Sequence, residues 1–174
     1  MSFTNRLRLR FRFLLFSAAL IATFLIAGCA RTSGTAAKND PDNGFWAGRI
    51  SLQVQSEPVQ SFHAGFELKG RPESGELTLI SPLGSILGVL RWSPSVAVLD
   101  SGDQKIQRFD SVDALMAQAT GAAVPMSALF AWLRGDNASV SGWTADLSRQ
   151  SEGRFTAKRI LPAPEADLRV VLDQ

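Results

Sequence analysis

Residues 50–69 read ISLQVQSEPVQSFHAGFELK, and within its two runs, 50–55 and 62–69, the apolar side chains fall on every second position. Ile50, Leu52 and Val54 alternate with Ser51, Gln53 and Gln55. Phe62, Ala64, Phe66 and Leu68 alternate with His63, Gly65, Glu67 and Lys69. A period of two gives each run one apolar face and one wet face, as in antiparallel sheet. Glu57-Pro58 supplies the reversal between the runs, and Gly70-Arg71-Pro72-Glu73-Ser74-Gly75 the next one.

The pattern continues outward from this core. Leu77 and Leu79 alternate with Glu76 and Thr78, and further strands are expected near 86–92, 96–100 and 104–109. Short spacings between them favour a meander. At 110–120 the period lengthens: Val112, Leu115, Met116 and Ala119 have helical spacing, with Asp110 or Ser111 as cap and Gly121 as stop. A second short helix is expected over 125–133, with Pro125 in its first turn and Met126, Leu129, Phe130 and Leu133 on one face. Strands resume near 141–148, 154–160 and 167–172. The economical arrangement is a curved antiparallel sheet wrapped around the two helices, each covering the other's apolar face. Such a layout can leave an apolar groove between its layers.

Upstream lies a different kind of sequence. Residues 1–12 carry Arg6, Arg8, Arg10 and Arg12 and no acid, and an apolar stretch then runs to Cys29. This is the form of an exported signal over residues 1–28, whose apolar stretch is shorter than the about 20 residues of a membrane span. Ile26-Ala27-Gly28-Cys29 has the form of a lipobox, so Cys29 is the expected lipidation site. Residues 29–44 are small and polar and read as a tether; 45–174 is the folded domain. From Cys29 onward there are 14 basic and 16 acidic side chains, a net of −2, which gives no case for nucleic acid.

Reaction chemistry has little support. Cys29 is the sole cysteine, so acylation leaves no thiolate nucleophile, disulfide or thiolate metal site. His63 is the sole histidine and sits on the wet side of its strand. No Gly-x-Ser-x-Gly elbow or phosphate loop occurs, and Asp100, Asp103 and Asp110 do not form a calcium loop. No enzyme activity, metal or cofactor is expected. The turn Ser81-Pro82-Leu83-Gly84-Ser85 has two readings from its residues: a hairpin with Leu83 tucked under the sheet, or an exposed apolar tip.

A series of short motifs resembles the LolB family of outer-membrane lipoprotein receptors. They are Trp46-x-Gly48-Arg49, Leu77-x-Leu79-Ile80-Ser81-Pro82-Leu83-Gly84, Gly121-x-x-x-Pro125 with Leu129-x-x-Trp132-Leu133-x-Gly135, Gly142-Trp143, and Ala157-Lys158-Arg159-Ile160. The resemblance implies a mainly β fold, an incomplete antiparallel β-barrel of the LolA/LolB kind curled around inserted helices. It implies acceptance of acylated lipoproteins from a soluble periplasmic carrier, LolA, and their insertion into the inner leaflet of the outer membrane, with no nucleotide used. Pro82, Leu83 and Gly84 occupy the place of the family's membrane-insertion loop. The acyl-chain cavity is expected to use Leu52, Phe62, Phe66, Leu79, Leu90 and Trp92 from the strands and Leu115, Leu129 and Leu133 from the helices. A one-to-one handover suits a monomer. Two departures stand out: the stretch between Gly135 and Gly142 is shorter than usual for the family, and no tyrosine follows Gly142-Trp143. A structural or assembly lipoprotein that binds no acyl chain is the alternative function.

Overall fold

The computed structural model describes residues 38–102 and 105–174. Cys29, the signal and the first part of the tether lie outside them. Nine strands form one antiparallel sheet: β1 (Phe45–Val54), β2 (Gln60–Arg71), β3 (Ser74–Ile80), β4 (Ile86–Ser93), β5 (Val96–Asp100), β6 (Ile106–Phe109), β7 (Trp143–Asp146), β8 (Arg154–Arg159) and β9 (Ala166–Leu172). Their order is β6-β5-β4-β3-β2-β1-β9-β8-β7. Two meanders are joined where β1 pairs with β9, Leu52 opposite Leu168 and Ile50 opposite Val170. The sheet is not closed, since β6 and β7 each have one partner. Helices α1 (Val112–Thr120) and α2 (Met126–Arg134) carry the chain from one edge strand to the other. The expected fold, mainly β with inserted helices and an unclosed antiparallel sheet, is the one observed.

The alternation of residues 50–69 has the expected parity. Leu52, Val54, Ala64, Phe66 and Leu68 are buried, and Gln53, His63 and Lys69 are exposed. Gly48 faces Phe66 across β1 and β2. A side chain at Gly48 would start 2.2 Å from the Val171 carbonyl oxygen, so only glycine lets β9 lie this close.

Three details differ from the expectation. First, β1 starts at Phe45, and part of the residue 29–44 stretch is folded onto it: Asp40 bridges Phe45, and the Ala47 amide donates to Asn39 Oδ1 at 2.6 Å. Asn39 in turn donates to the Asp173 carbonyl. Second, Pro125 is the residue before α2 rather than in its first turn, and the Met126 amide donates to Asp113 of α1 at 3.1 Å. One helix thus caps the next, because proline has no side-chain acceptor to offer. Third, α2 is buried nearly all round, not on one face: Ala128, Phe130, Ala131 and Trp132 are buried along with Met126, Leu129 and Leu133. The curled sheet presents aromatics to both its flanks. Phe130 meets Trp46 edge-on at 5.4 Å and Trp92 at 6.3 Å. Trp132 meets Trp143 at 6.1 Å and Phe155 at 6.4 Å.

Ser111 caps α1 by accepting from the Ala114 amide, and Gly121 and Gly135 end the two helices in left-handed conformation, as the sequence implied.

Candidate functional site

Antiparallel pairing sends alternate turns to opposite ends of the sheet. The β1–β2, β3–β4, β5–β6 and β8–β9 turns share one end, here called the upper end. The α1–α2 link reaches it too, since Arg159 at the top of β8 donates to the Gly121 carbonyl. The lower half of the curl is filled by the Trp46, Trp92, Phe130 and Trp132 rings. The upper half is not filled.

There a cavity of about 70 Å³ is lined by fourteen apolar side chains and Thr120. Ile50 and Leu52 of β1, Phe62, Phe66 and Leu68 of β2, Leu77 and Leu79 of β3, Leu90 of β4 and Leu168 and Val170 of β9 form its sheet wall. Met116, Ala119, Val124 and Leu129 form the helical wall. The Thr120 hydroxyl is engaged by its own helix end, donating to the Met116 carbonyl at 2.6 Å and accepting from the Ala122 amide at 3.2 Å. No polar group in the wall asks for a polar ligand. A cleft of about 420 Å³ adjoins the cavity, shares Leu52, Phe62, Leu79, Ala119 and Thr120 with it, and reaches Val54, Gln60 and Ser61. It is the mouth. Its volume falls in the roughly 300–1,000 Å³ range of small-molecule pockets, which the inner cavity alone does not reach.

Of the residues expected in an acyl-chain cavity, Leu52, Phe62, Phe66, Leu79, Leu90 and Leu129 line this space. Trp92, Leu115 and Leu133 do not. Trp92 lies low on its strand, and its indole N–H donates to the Pro72 carbonyl at 2.9 Å and the Arg71 carbonyl at 3.3 Å. Leu115 is in the first half of α1 and Leu133 at the foot of α2, where each is fully packed. Their faces match the expectation; their depth along the curl does not. Phe62 is 37% exposed, at the lip rather than deep inside. The expected set left out Ile50, Leu68 and Leu77 of the strands, Met116, Ala119 and Val124 of the helical side, and Leu168 and Val170, although the last two follow from the inward parity of β9.

The expected membrane-insertion loop is the β3–β4 turn. Leu83 is 95% exposed, so the tucked reading is not the observed one. Ser81 holds the turn from beneath: its hydroxyl accepts from the Leu83 and Ser85 amides at 3.3 and 3.1 Å, and its amide donates to the Ser85 carbonyl at 2.7 Å. Gly84 has φ +86° with open space around it, so backbone conformation rather than crowding demands glycine there. A register shift after Leu79 leaves Ile86 and Leu87 exposed beside Leu83.

Arg159 is the one buried charged residue among those described. Its guanidinium donates to the Gly121 and Pro164 carbonyls at 3.4 and 3.0 Å and lies 5.8 Å from the Trp143 ring centroid. It thereby ties the α1–α2 link and the β8–β9 turn together. Arg159→Ala is expected to lower unfolding free energy by about 2–3 kcal/mol, because two hydrogen bonds from a buried charged donor are lost. Urea denaturation checks this, and an unchanged midpoint would remove the tie.

Among the described residues no group of three His, Cys, Asp or Glu is placed to hold a metal ion. His63 is exposed and has no resolved role. The Glu152 carboxyl is held below its ordinary range by the hydrogen bond from Arg149, but this exposed pair sits in the lower β7–β8 turn. Among the described residues no helix is long and apolar enough to cross a membrane.

Fold and site together define an unclosed antiparallel barrel with two inserted helices and an apolar interior open at one end. A family model described as "Outer membrane lipoprotein LolB" matches residues 45–160. The chain is 31% identical to the outer-membrane lipoprotein LolB of Bordetella petrii, over 86% of this chain and 87% of that one. It is 30% identical to that of Cupriavidus metallidurans, over 74% and 64% of the two chains, and 31% identical to that of Ralstonia nicotianae, over 80% and 72%. The protein belongs to the LolB family.

Proposed function

We propose that this protein is a non-enzymatic receptor that accepts acylated lipoproteins from the periplasmic carrier LolA and inserts them into the outer membrane. The observation that carries the reading is the apolar cavity whose mouth opens at the same end as the exposed Leu83 turn. Each buried methylene of an acyl chain contributes about 0.8 kcal/mol, and a bilayer offers the same stabilisation. Cargo can therefore move from cavity to membrane without nucleotide, down a series of affinity differences. Cys29 would carry the receptor's own lipid anchor and hold the domain, facing the periplasm, at the target bilayer. The described space suits one chain end. Cargo with several chains requires a wall to yield, and α1 is the wall to do it, since it packs on β5 and β6 at the open edge of the sheet.

The test is a two-step transfer. Carrier loaded with a labelled lipoprotein is mixed with the mature protein, and vesicles are added afterwards. Cargo should move to the receptor and then to vesicles. Leu83→Glu should accept cargo normally and deliver it about tenfold more slowly or worse, since one leucine leaving water contributes roughly 1.5–3 kcal/mol. The substitution touches no core residue, so folding is unaffected. Failure of cargo to leave the carrier for the folded wild-type protein sinks the receptor reading and promotes a scaffold lipoprotein.

A further inference from the structure

The exposed large apolar side chains of the described residues are Val59, Phe62, Leu83, Ile86, Leu87, Ile106, Ile160 and Leu161. All eight belong to the upper end. Val59 and Phe62 follow the β1–β2 turn, Leu83, Ile86 and Leu87 form the β3–β4 turn, Ile106 ends the β5–β6 turn, and Ile160 and Leu161 begin the β8–β9 turn. The lower turns, around Pro72-Glu73, Pro94-Ser95 and Ser148–Glu152, expose none. In the sheet order each upper turn is two strands from the next, about 10 Å, so the four make a crown along the mouth.

We propose that the whole crown, and Ile160-Leu161 above all, is a bilayer-docking surface in which the β8–β9 turn is a second membrane contact across the mouth from Leu83. The inference rests on the receptor reading and extends it from one leucine to four turns. Ile160 and Leu161 are 65% and 70% exposed, and the Arg159 hydrogen bond to Pro164 pins the turn that presents them. Small groups of one to three side chains on separate turns suit a fluid acyl layer, which needs no shape match, better than a protein surface, which does. Charge points the same way. The described parts of the four turns carry Glu57, Lys105 and Glu165 with no basic cluster, so apolar insertion rather than attraction to an acidic partner holds the contact.

Chain length allows the crown and a lipid on Cys29 to share one bilayer. Asn39 is fixed beside Ala47, and β1 climbs from there to Val54, seven residues or about 23 Å. The nine residues 30–38 can span at most about 30 Å. A bilayer that holds the anchor is thus within reach of the crown.

The mature lipidated protein, whose sole native cysteine is taken up by the lipid, is made with one new cysteine at a time: Leu161→Cys, Leu83→Cys or Ser151→Cys. Each is labelled with a nitrobenzoxadiazole fluorophore and reconstituted into vesicles of phosphatidylethanolamine and phosphatidylglycerol containing a lipid with a nitroxide on its acyl chain. The expected result is quenching at positions 161 and 83 and none at 151. Quenching at 83 with position 161 as water-exposed as 151 overturns the crown while leaving the single-leucine contact standing. Shielding at 161 that develops only when the carrier is added assigns the turn to carrier docking and also overturns it. No quenching at either 83 or 161 removes the insertion reading on which the crown rests.

Discussion

Phe130→Ala should lower the unfolding free energy by about 4 kcal/mol, near the top of the range for a buried aromatic. Phe130 is fully buried at the middle of α2, between Trp46 of β1 and Trp92 of β4. The space it leaves cannot be closed. Trp46 rides on a strand paired on both sides, to β2 and to β9. Trp92 is tethered by its indole N–H to the Pro72 carbonyl. Both indoles would keep their places and lose an edge-on partner, worth about 0.5–1.5 kcal/mol per pair beyond area burial. A typical domain has only roughly 5–15 kcal/mol in total, so the variant should be visibly fragile in urea with its m-value unchanged. Phe130→Leu should cost under about 1.5 kcal/mol, because it keeps most of the volume. Phe62→Ala, at the exposed lip, is the comparison. If Phe130→Ala costs no more than Phe62→Ala, α2 is not the pillar around which the sheet curls.

The parity of β1 and β2 was legible because one face of each strand is wet and a period of two leaves no other choice. The first half of β1 was not. Around Ala47 the outer face is covered by the returning Asn39-Asp40 segment, so Phe45–Gly48 has no wet face and no alternation to read. The buried state of α2 was hidden for a related reason. A helix packed by sheet on both flanks needs small residues on its second face, and Ala128 and Ala131 look neutral in a sequence. Trp92, Leu115 and Leu133 show a further gap. Periodicity says which way a side chain faces; it does not say whether the chain at that height meets a filled or an empty part of the curl. The crown depends on topology outright. Four turns share an end only because β9 returns antiparallel to β1, the single pairing between strands distant in sequence. Leu83 was the intermediate case. Proline and glycine announced a turn, but whether its leucine faced in or out depended on Ser81 holding the loop from below.

Ala119→Trp should abolish acyl-chain binding while leaving the fold intact. Ala119 is an exposed residue near the upper end of α1, yet it lines both the mouth and the inner cavity. An indole there enters space that is already open and apolar, so it displaces no core side chain. A fluorescent fatty acid, titrated into the mature protein, should bind the wild type saturably. Denying such a chain room for even two methylenes removes about 1.6 kcal/mol, roughly a fifteenfold loss of affinity, and an indole blocks more than that. Thermal stability should hold, because surface substitutions of this kind stay within about 0.5 kcal/mol. Gln118→Trp separates occlusion from mere added bulk. Gln118 is the exposed neighbour on the same helix and lines neither space, so its variant should bind like the wild type. Equal binding by both variants would place the acyl site somewhere other than under α1, whatever the transfer assay reports. Loss in Ala119→Trp alone, with cargo then retained on the carrier, would make the cavity the compartment through which cargo must pass.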